Sequence, residues 1–485
     1  MGDGIGSTTA MQANSVRRRL LYASGVVNYA LKDAAFGVFV LFYYKQVLGL
    51  SGTLTGLAIA LSVLWDAISD PLMGAWSDKL RSRWGRRHPL MVAAVIPLAL
   101  GFIAMFWPPA MVSGTQLPLF YWLLGSVLLL RTALTFFMVP YLALGAEIST
   151  DYHERTLLAS ARTNLGWFVG VLIPAISLTL IFTPQDGLDG RFVTGHYHIY
   201  GILCAVGVLV ASWVCIKGTE PFIPTLPQSV SSADSSMWRD IAGTFSNRNF
   251  RLVVILDTVL GGMAGIISVL LMVTYTYFWQ LDTTAISILF AGPPLLAVLL
   301  VTTTSRVVNR HLEKQQLLRL SCALGALNLL WLTPLKLFGL LPEGSAFVFA
   351  LIFLNYTLNT VFTIVRTISN HAMLADIADE HDLATGKRQE GVMFAAAFFA
   401  AKFVTGFGYL VGGPFLDLIG LESGMQPGEA PASVIWGLGL IMGPGLALLL
   451  AIPAWVAFRI DISKDGQLRI QQALKVRGTT VQPET

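Results

Sequence analysis

Charged residues are scarce in this sequence. Lys, Arg, Asp and Glu make up 12% of its 485 residues, which is roughly half of the fraction usual for a soluble globular domain. Hydrophobic residues make up 54%. This composition argues against a soluble enzyme and indicates a protein whose solvent is the lipid bilayer.

Motifs that would mark other membrane functions are missing too. The sequence has no Gly-x-x-x-x-Gly-Lys-[Ser/Thr] phosphate loop, which an ATP-driven pump needs, and no His-Glu-x-x-His zinc motif. Its three cysteines, Cys204, Cys215 and Cys322, lack the spacing of metal ligands. We therefore expect neither an enzyme nor a pump, and no cofactor. The net charge of +4 comes from basic residues in alternate connections, so we expect no nucleic-acid partner either.

Long apolar segments recur along the whole chain, each with about the 20 residues that cross ~30 Å of hydrocarbon. The sequence therefore predicts an all-α membrane protein of the inner membrane with twelve transmembrane helices. Their approximate bounds are residues 20–48, 52–76, 89–108, 118–147, 157–183, 198–217, 250–279, 284–304, 317–337, 344–369, 391–419 and 434–458.

A polar segment rich in Ser, Pro and charge divides this pattern after the sixth helix. Six helices on either side are typical of a transporter built from two parallel repeats. The predicted parts are an N-terminal six-helix bundle at 1–217, a cytoplasmic linker at 218–249, a C-terminal bundle at 250–458 and a cytoplasmic tail at 459–485. The first apolar segment is too long for a cleaved signal peptide, so we expect it to remain as helix 1.

Basic residues are concentrated in alternate connections. Arg17, Arg18 and Arg19 precede helix 1, and five Lys or Arg residues lie between positions 79 and 87. The connections at 107–116 and 421–433 contain none. Because basic loops stay in the cytoplasm, both termini are predicted to be cytoplasmic.

Two carboxylates lie inside helix 2. Charged side chains within a membrane cost about 2.5 to 3.5 kcal/mol each on insertion scales, so they usually face a cavity and serve a function. Asp66, Ser69 and Asp70 have i, i+3, i+4 spacing and share one face of the helix. Because the carboxylates repel each other, they need Na+, a proton or an ammonium such as Lys402 beside them. The spacing favours a cation site over an ion-pair network that only ties helix 2 to helix 11.

Other ionisable residues lie in the predicted helices. They are Lys32, Asp33, Arg131, Arg162, Asp257 and Arg366. Neighbouring residues on a helix do not face one another, so we expect Asp33 to face the cavity rather than to pair with Lys32. Helix 10 carries a polar stripe of Asn355, Asn359, Thr363, Arg366 and Asn370. Its members either line the central path or join neighbouring helices by hydrogen bonds. Asp257 has no assigned role.

The connection between helices 2 and 3 reads Gly74-Ala-Trp-Ser-Asp78-Lys-Leu-Arg-Ser-Arg-Trp-Gly85-Arg86-Arg87. It resembles the gating motif of the major facilitator superfamily with a short insertion. Further strings resemble its glycoside-pentoside-hexuronide:cation symporter branch, typified by the melibiose permease; they are Trp65-Asp-Ala-Ile-Ser-Asp-Pro, Val139-Pro-Tyr-Leu-Ala-Leu and Gly386-Lys-Arg-Gln-Glu-Gly. The resemblance covers nearly the whole chain. We expect Asp78, Arg86 and Arg87 to lie where helix ends of the two halves meet, unless the basic loop only sets the topology.

The resemblance implies a coupling-ion site at Asp66, Ser69, Asp70 and Thr135, with Lys402 close by. The melibiose permease has Asn at position 69, so Na+ and H+ both remain open as the ion. It also implies that Lys32, Asp33 and Arg162 contact the solute. Met138 replaces a carboxylate of that permease, Leu142 a tryptophan, and Phe398 a hydroxyl.

Arg131 lies one turn before Thr135, so we expect its guanidinium to face the solute path and to favour an anionic group. The alternative is that it pairs with Asp33 and braces the site. The implied function is cation-coupled symport of a glycoside, uronide or related small solute by a monomer. The apolar replacements at 138, 142 and 398 favour an alternative, a lysophospholipid or other amphiphile carrier.

Overall fold

The computed structural model describes residues 16–149, 151–225, 243–342, 344–386, 389–462 and 464–480. In these ranges, twelve helices are long and apolar enough to cross a bilayer, which confirms the predicted fold. They are α1 (Val16–Val47), α2 (Gly52–Lys79), α3 (His88–Phe106), α4 (Gln116–Glu147), α5 (His153–Leu180), α6 (Thr194–Pro224), α7 (Arg248–Phe278), α8 (Thr283–His311), α9 (Lys314–Leu337), α10 (Ala346–Thr385), α11 (Glu390–Leu418) and α12 (Ala432–Arg459).

Two helical segments lie where hydropathy predicted none. α10 continues past its expected end at residue 369 for about four turns that mix charged with buried apolar residues, and Gly386 ends it with a φ of 75°. A further helix, α13 (Lys464–Thr480), occupies the predicted tail. Gln467 of α13 donates a hydrogen bond of 3.0 Å to Asp379 in the extension of α10. Most of the predicted linker, at 226–242, lies outside the described residues.

The first helix of each half ends in the same way. α1 closes with a π-helical turn at Tyr43–Val47, and α7 closes with one at Thr274–Phe278. The next residues repeat the same backbone bonds: Leu50 N–H donates to Tyr44, and Leu281 N–H donates to Tyr275. This shared irregularity supports the predicted relation of the two halves as internal repeats.

An ion pair also recurs at the same place in each half. Arg86, just before α3, contacts Glu147 at the end of α4 at 2.8 Å. In the C-terminal half, Lys314 at the start of α9 contacts Asp376 of α10. Each pair ties the third and fourth helices of its half together on the side where α1 begins and α12 ends, here called the terminal side.

Glycines let α11 pack closely between α2 of one half and α7 of the other. A Cβ on Gly413 would lie 2.3 Å from the Gly52 carbonyl oxygen, and one on Gly408 would lie 2.4 Å from the Gly262 carbonyl oxygen. No larger residue fits at such distances. α11 therefore connects the two halves along the middle of the molecule.

The two halves are joined on the side opposite the terminal side, here called the distal side. Asp417 of α11 accepts hydrogen bonds from Lys45 Nζ at 2.7 Å, from the Gly52 amide at 2.9 Å, and from the amide and hydroxyl of Thr53 at 2.7 Å. Arg191, in the connection before α6, donates to Thr276 Oγ1 at 2.6 Å. The structure is therefore closed on its distal side.

Candidate transport site

A cavity of about 640 Å³ lies between the two halves. The N-terminal half contributes Asp33 of α1 and Arg162 of α5, and the C-terminal half contributes Asn359 and Thr363 of α10. Aromatic walls flank these polar groups at Tyr29, Trp167 and Tyr356. Polar groups that converge from both halves between aromatic walls suit a small polar solute.

Asp33 lines this cavity and also pairs with its neighbour. Its side chain is 53% exposed, whereas that of Lys32 is buried. Lys32 Nζ contacts the Asp33 carboxylate and lies 4.0 Å from the centre of the Tyr29 ring. The expectation that the two do not pair is therefore wrong. The flexible four-carbon stem of lysine lets the ammonium reach the carboxylate even though the two Cβ atoms diverge.

Four charged side chains from α2, α4 and α11 form one cluster beside the cavity, here called the four-charge cluster: Asp66, Asp70, Arg131 and Lys402. Lys402 Nζ lies 2.6 Å from Asp70 Oδ2 and 3.4 Å from Asp66 Oδ2. Thr135 Oγ1 donates to Asp70 Oδ1 at 2.8 Å, and Ser69 Oγ lies 3.5 Å from Thr135 Oγ1. The structure thus brings together all five residues assigned to the cation site.

Arg131 is part of this cluster and does not line the solute cavity in the described structure. Its Nη1 lies 2.5 Å from Asp66 Oδ2, and its side chain is 6% exposed. The guanidinium carbon lies 4.7 Å from the centre of the Phe36 ring. Arg131 therefore does not face the solute path, and its partner is Asp66 rather than Asp33. The i, i+4 spacing correctly put Arg131 on the face of Thr135, but that face points to α2.

The polar stripe on α10 divides into two groups. Asn359 and Thr363 line the cavity, whereas Asn355 Nδ2 donates to the Asn328 carbonyl of α9 at 2.8 Å. Asn370 Nδ2 donates to Asp257 Oδ1 of α7 at 2.7 Å. Some members of the stripe therefore line the path, and others join neighbouring helices, as the two interpretations proposed. Asp257 has Asn370 as its hydrogen-bond partner.

Arg366 is 8% exposed and contacts no carboxylate in the described ranges. Its Nη2 donates weakly to Thr363 at 3.3 Å, and its buried Nε has no hydrogen-bond partner in the same ranges. The residue lies on a second cavity of about 350 Å³ within the C-terminal half, which shares Asn359 and Thr363 with the central one. A buried guanidinium without an anion is costly, so an anion entering from the cavity would be bound there.

The charged residues of the loop motif form ion pairs within the N-terminal half. Arg87 Nη2 lies 2.7 Å from both Asp78 Oδ1 and Glu147 Oε1. Gly85 supplies the turn with a φ of 73°, and the Cβ position of Gly74 packs at 3.9 Å on Val139. Among the described residues, these charges pair with one another and with Glu147 of α4, and no ion pair connects them to the C-terminal half. That they lie where helix ends of the two halves meet stays a prediction.

Two functional candidates were missed from the sequence. Glu147 and Asp417 each lie at the end of an apolar helix, where an acid is easily taken for the polar boundary. The signal that could have found Asp417 is Lys45, a lone lysine at the matching end of helix 1. The three apolar replacements, Met138, Leu142 and Phe398, are not among the residues that line the central cavity in the described chain.

Comparisons with known proteins identify relatives along nearly the whole chain. Residues 21–464 match the family described as MFS/sugar transport protein. A putative glycoside/cation symporter of Escherichia coli, YagG, is 25% identical and covers 84% of this chain and 86% of its own. The mouse sodium-dependent lysophosphatidylcholine symporter 1 is 33% identical over 169 residues, which are 33% of this chain and 31% of the mouse protein. The crystal structure of the nucleoside transporter NupG has a TM-score of 0.60 with 13% identity and covers 92% of this chain and 100% of its own, which shows the shared fold.

Proposed function

Because this chain belongs to the MFS/sugar transport family, we propose that it is a cation-coupled symporter that carries a glycoside, a uronide or a related small solute across the inner membrane. Solute and cation bind between the two halves, which then rock to expose the site to either side. The name of the E. coli relative supports the glycoside and the cation. The chain acts as a transporter and not as an enzyme.

The central cavity is the observation that carries this proposal. Asp33 offers a carboxylate that accepts hydrogen bonds from sugar hydroxyls, and Arg162 adds a guanidinium that donates them. Asn359 and Thr363 face them from the other half. A solute bound by residues of both halves would draw the two halves together. A rocking transporter requires this of its substrate.

We further propose that the solute carries an acidic group. Arg162 and Arg366 are the two arginines at the cavities, and Arg366 is buried and meets no carboxylate in the described residues. A planar guanidinium suits the bidentate binding of a carboxylate. Binding of the anionic group was first expected of Arg131 in the N-terminal half. It is now assigned to Arg366 in the C-terminal half.

A second candidate solute is an amphiphile with an anionic head. The cavity within the C-terminal half is walled mainly by apolar side chains such as Leu260, Ile267 and Leu446, which suit an acyl chain. Arg366 would bind the head. The partial match to the mouse lysophosphatidylcholine symporter supports this alternative.

The distribution of basic residues supports a cytoplasmic position for the terminal side. The distal contacts around Asp417 would then seal the site from the outside, and the structure would be inward-facing. Both chain termini would lie in the cytoplasm.

Uptake by proteoliposomes tests the proposal. A panel of glycosides, uronides and lysolipids is offered under imposed Na+ and H+ gradients. We expect accumulation of an acidic glycoside under one of them and about a tenfold loss in the Arg366→Gln variant, with a smaller loss for the neutral analogue. Arg319→Gln is the matched control, because Arg319 binds backbone carbonyls at the end of α12. Accumulation of lysolipids alone would select the alternative, and accumulation of none would refute both.

A further inference from the structure

Asp66 already holds a cation that belongs to the protein. The Arg131 guanidinium lies 2.5 Å from Asp66 Oδ2, on the carboxylate that the cation site would offer to a coupling ion. An arginine stays protonated in proteins, so this cation is permanent. It is also held in place, because its side chain is buried and stacks over Phe36 of α1.

The four-charge cluster is electrically balanced. Asp66 and Asp70 carry two negative charges, and Arg131 and Lys402 carry two positive charges at hydrogen-bonding distances. A bound Na+ would leave this cluster with an excess positive charge inside the membrane, which is strongly unfavourable. Without Arg131, the cluster would have one net negative charge, and Na+ would neutralise it.

The positions of the oxygen atoms around the paired aspartates agree with this role of Arg131. Na+ is a hard cation that prefers several oxygen ligands, and Ser69, Thr135 and the two carboxylates could supply them. In this structure Asp66 Oδ2 faces both Arg131 and Lys402, and Asp70 faces Lys402 and the Thr135 hydroxyl. Three of the four carboxylate oxygens that would bind Na+ thus already face protein donors.

From this geometry we infer that Arg131 is a tethered substitute for the sodium ion, so that this protein neither binds nor requires Na+ at the paired aspartates. The inference rests on the proposed symport and specifies its ion. The remaining coupling cation is a proton, which needs only one carboxylate oxygen, whereas Na+ needs several. Asp70 can accept it when Lys402, whose side chain is 40% exposed, turns to the water of the cavity, so that no excess charge stays in the cluster. Besides the cluster itself, the titratable groups near Arg131 are Lys32 and Asp33 of α1, which pair with each other, and Tyr409 of α11.

The first test needs no solute, so it is independent of the proposed function. Thermal unfolding of the purified protein is followed in NaCl and in choline chloride at equal ionic strength. We expect the same Tm in both salts for the wild type. Arg131→Gln should gain Na+ binding, with a Tm at least about 3 °C higher in 100 mM NaCl than in choline chloride.

Two further variants identify the cause. Arg131→Lys keeps the tethered charge and should stay insensitive to Na+. The double variant Arg131→Gln, Asp66→Asn removes both charges and should lose the Na+ effect again.

A Na+-specific rise in the Tm of the wild type would overturn the inference, even if no variant folds. So would an Arg131→Gln protein that folds and does not respond to Na+. Failure of the proposed symport would appear only in the uptake assay and would leave these results unchanged.

Discussion

Removal of the Asp417 carboxylate should open the distal side. This group joins the halves through four hydrogen bonds, one of them to the Lys45 ammonium. Such bonds to a charged group contribute about 1.5 to 3 kcal/mol each when buried. The side chain is 28% exposed, so solvent screening reduces the total to about 3 kcal/mol. Asp417→Ala should thus shift the equilibrium roughly 100-fold toward a distal-open state.

Labelling of a cavity cysteine measures this shift. Asn359 lines the cavity, so Asn359→Cys should react with an impermeant thiol reagent from the distal side only when that side opens. The three native cysteines are buried and give a low background. We expect Asp417→Ala to accelerate the labelling by one to two orders of magnitude, and Asp417→Asn to have an intermediate effect.

The matched control is Glu422→Ala, an exposed acid in the connection that follows α11. It should leave the labelling rate unchanged. An unchanged or slower rate in Asp417→Ala would refute the assignment of these bonds as a closure of the distal side.

Three other predictions follow from the same structure. Asp66→Asn and Asp70→Asn should each abolish ion-driven accumulation while solute exchange partly survives, as uptake and counterflow assays would show; full accumulation in either would contradict the cation site. Cysteines placed at Ser113 and Ser423 should react with an impermeant reagent from outside, and one at Ser82 should not; the reverse pattern would invert the topology. Gly413→Val should lower the Tm by several degrees because its side chain would meet the Gly52 carbonyl, whereas Gly391→Val, at an open position, should not.

The helices could be predicted from the sequence because the membrane requires about 20 apolar residues for each crossing, and this requirement is local. The extension of α10 to Thr385 could not, because charged residues interrupt its apolar pattern and its partners, such as Lys314 and Gln467, come from other helices. Hydropathy describes one segment at a time and contains no information on contacts between helices.

The residues of the candidate site, like the helices, could be predicted only in part. Spacing within α2 put Asp66, Ser69 and Asp70 on one face, and the repulsion of the two carboxylates suggested Lys402 as their partner. The resemblance added Thr135. The partner of Arg131 was not predictable, because helical spacing fixes which residues share a face but not which helix that face meets. The pairing of Lys32 with Asp33 was missed because backbone direction does not limit a long side chain.

The steady-state solute gradient under an imposed cation gradient tests the central claim most directly. Proteoliposomes that contain the protein are given a series of proton gradients, with a matched series of Na+ gradients, and the ratio of internal to external acidic glycoside is measured. Symport predicts that the logarithm of this ratio rises linearly with the imposed gradient of the coupling cation and reverses sign when that gradient is reversed. If the proton is that cation, as inferred from Arg131, the ratio does not respond to Na+. A ratio that stays at one under every gradient would contradict cation-coupled transport.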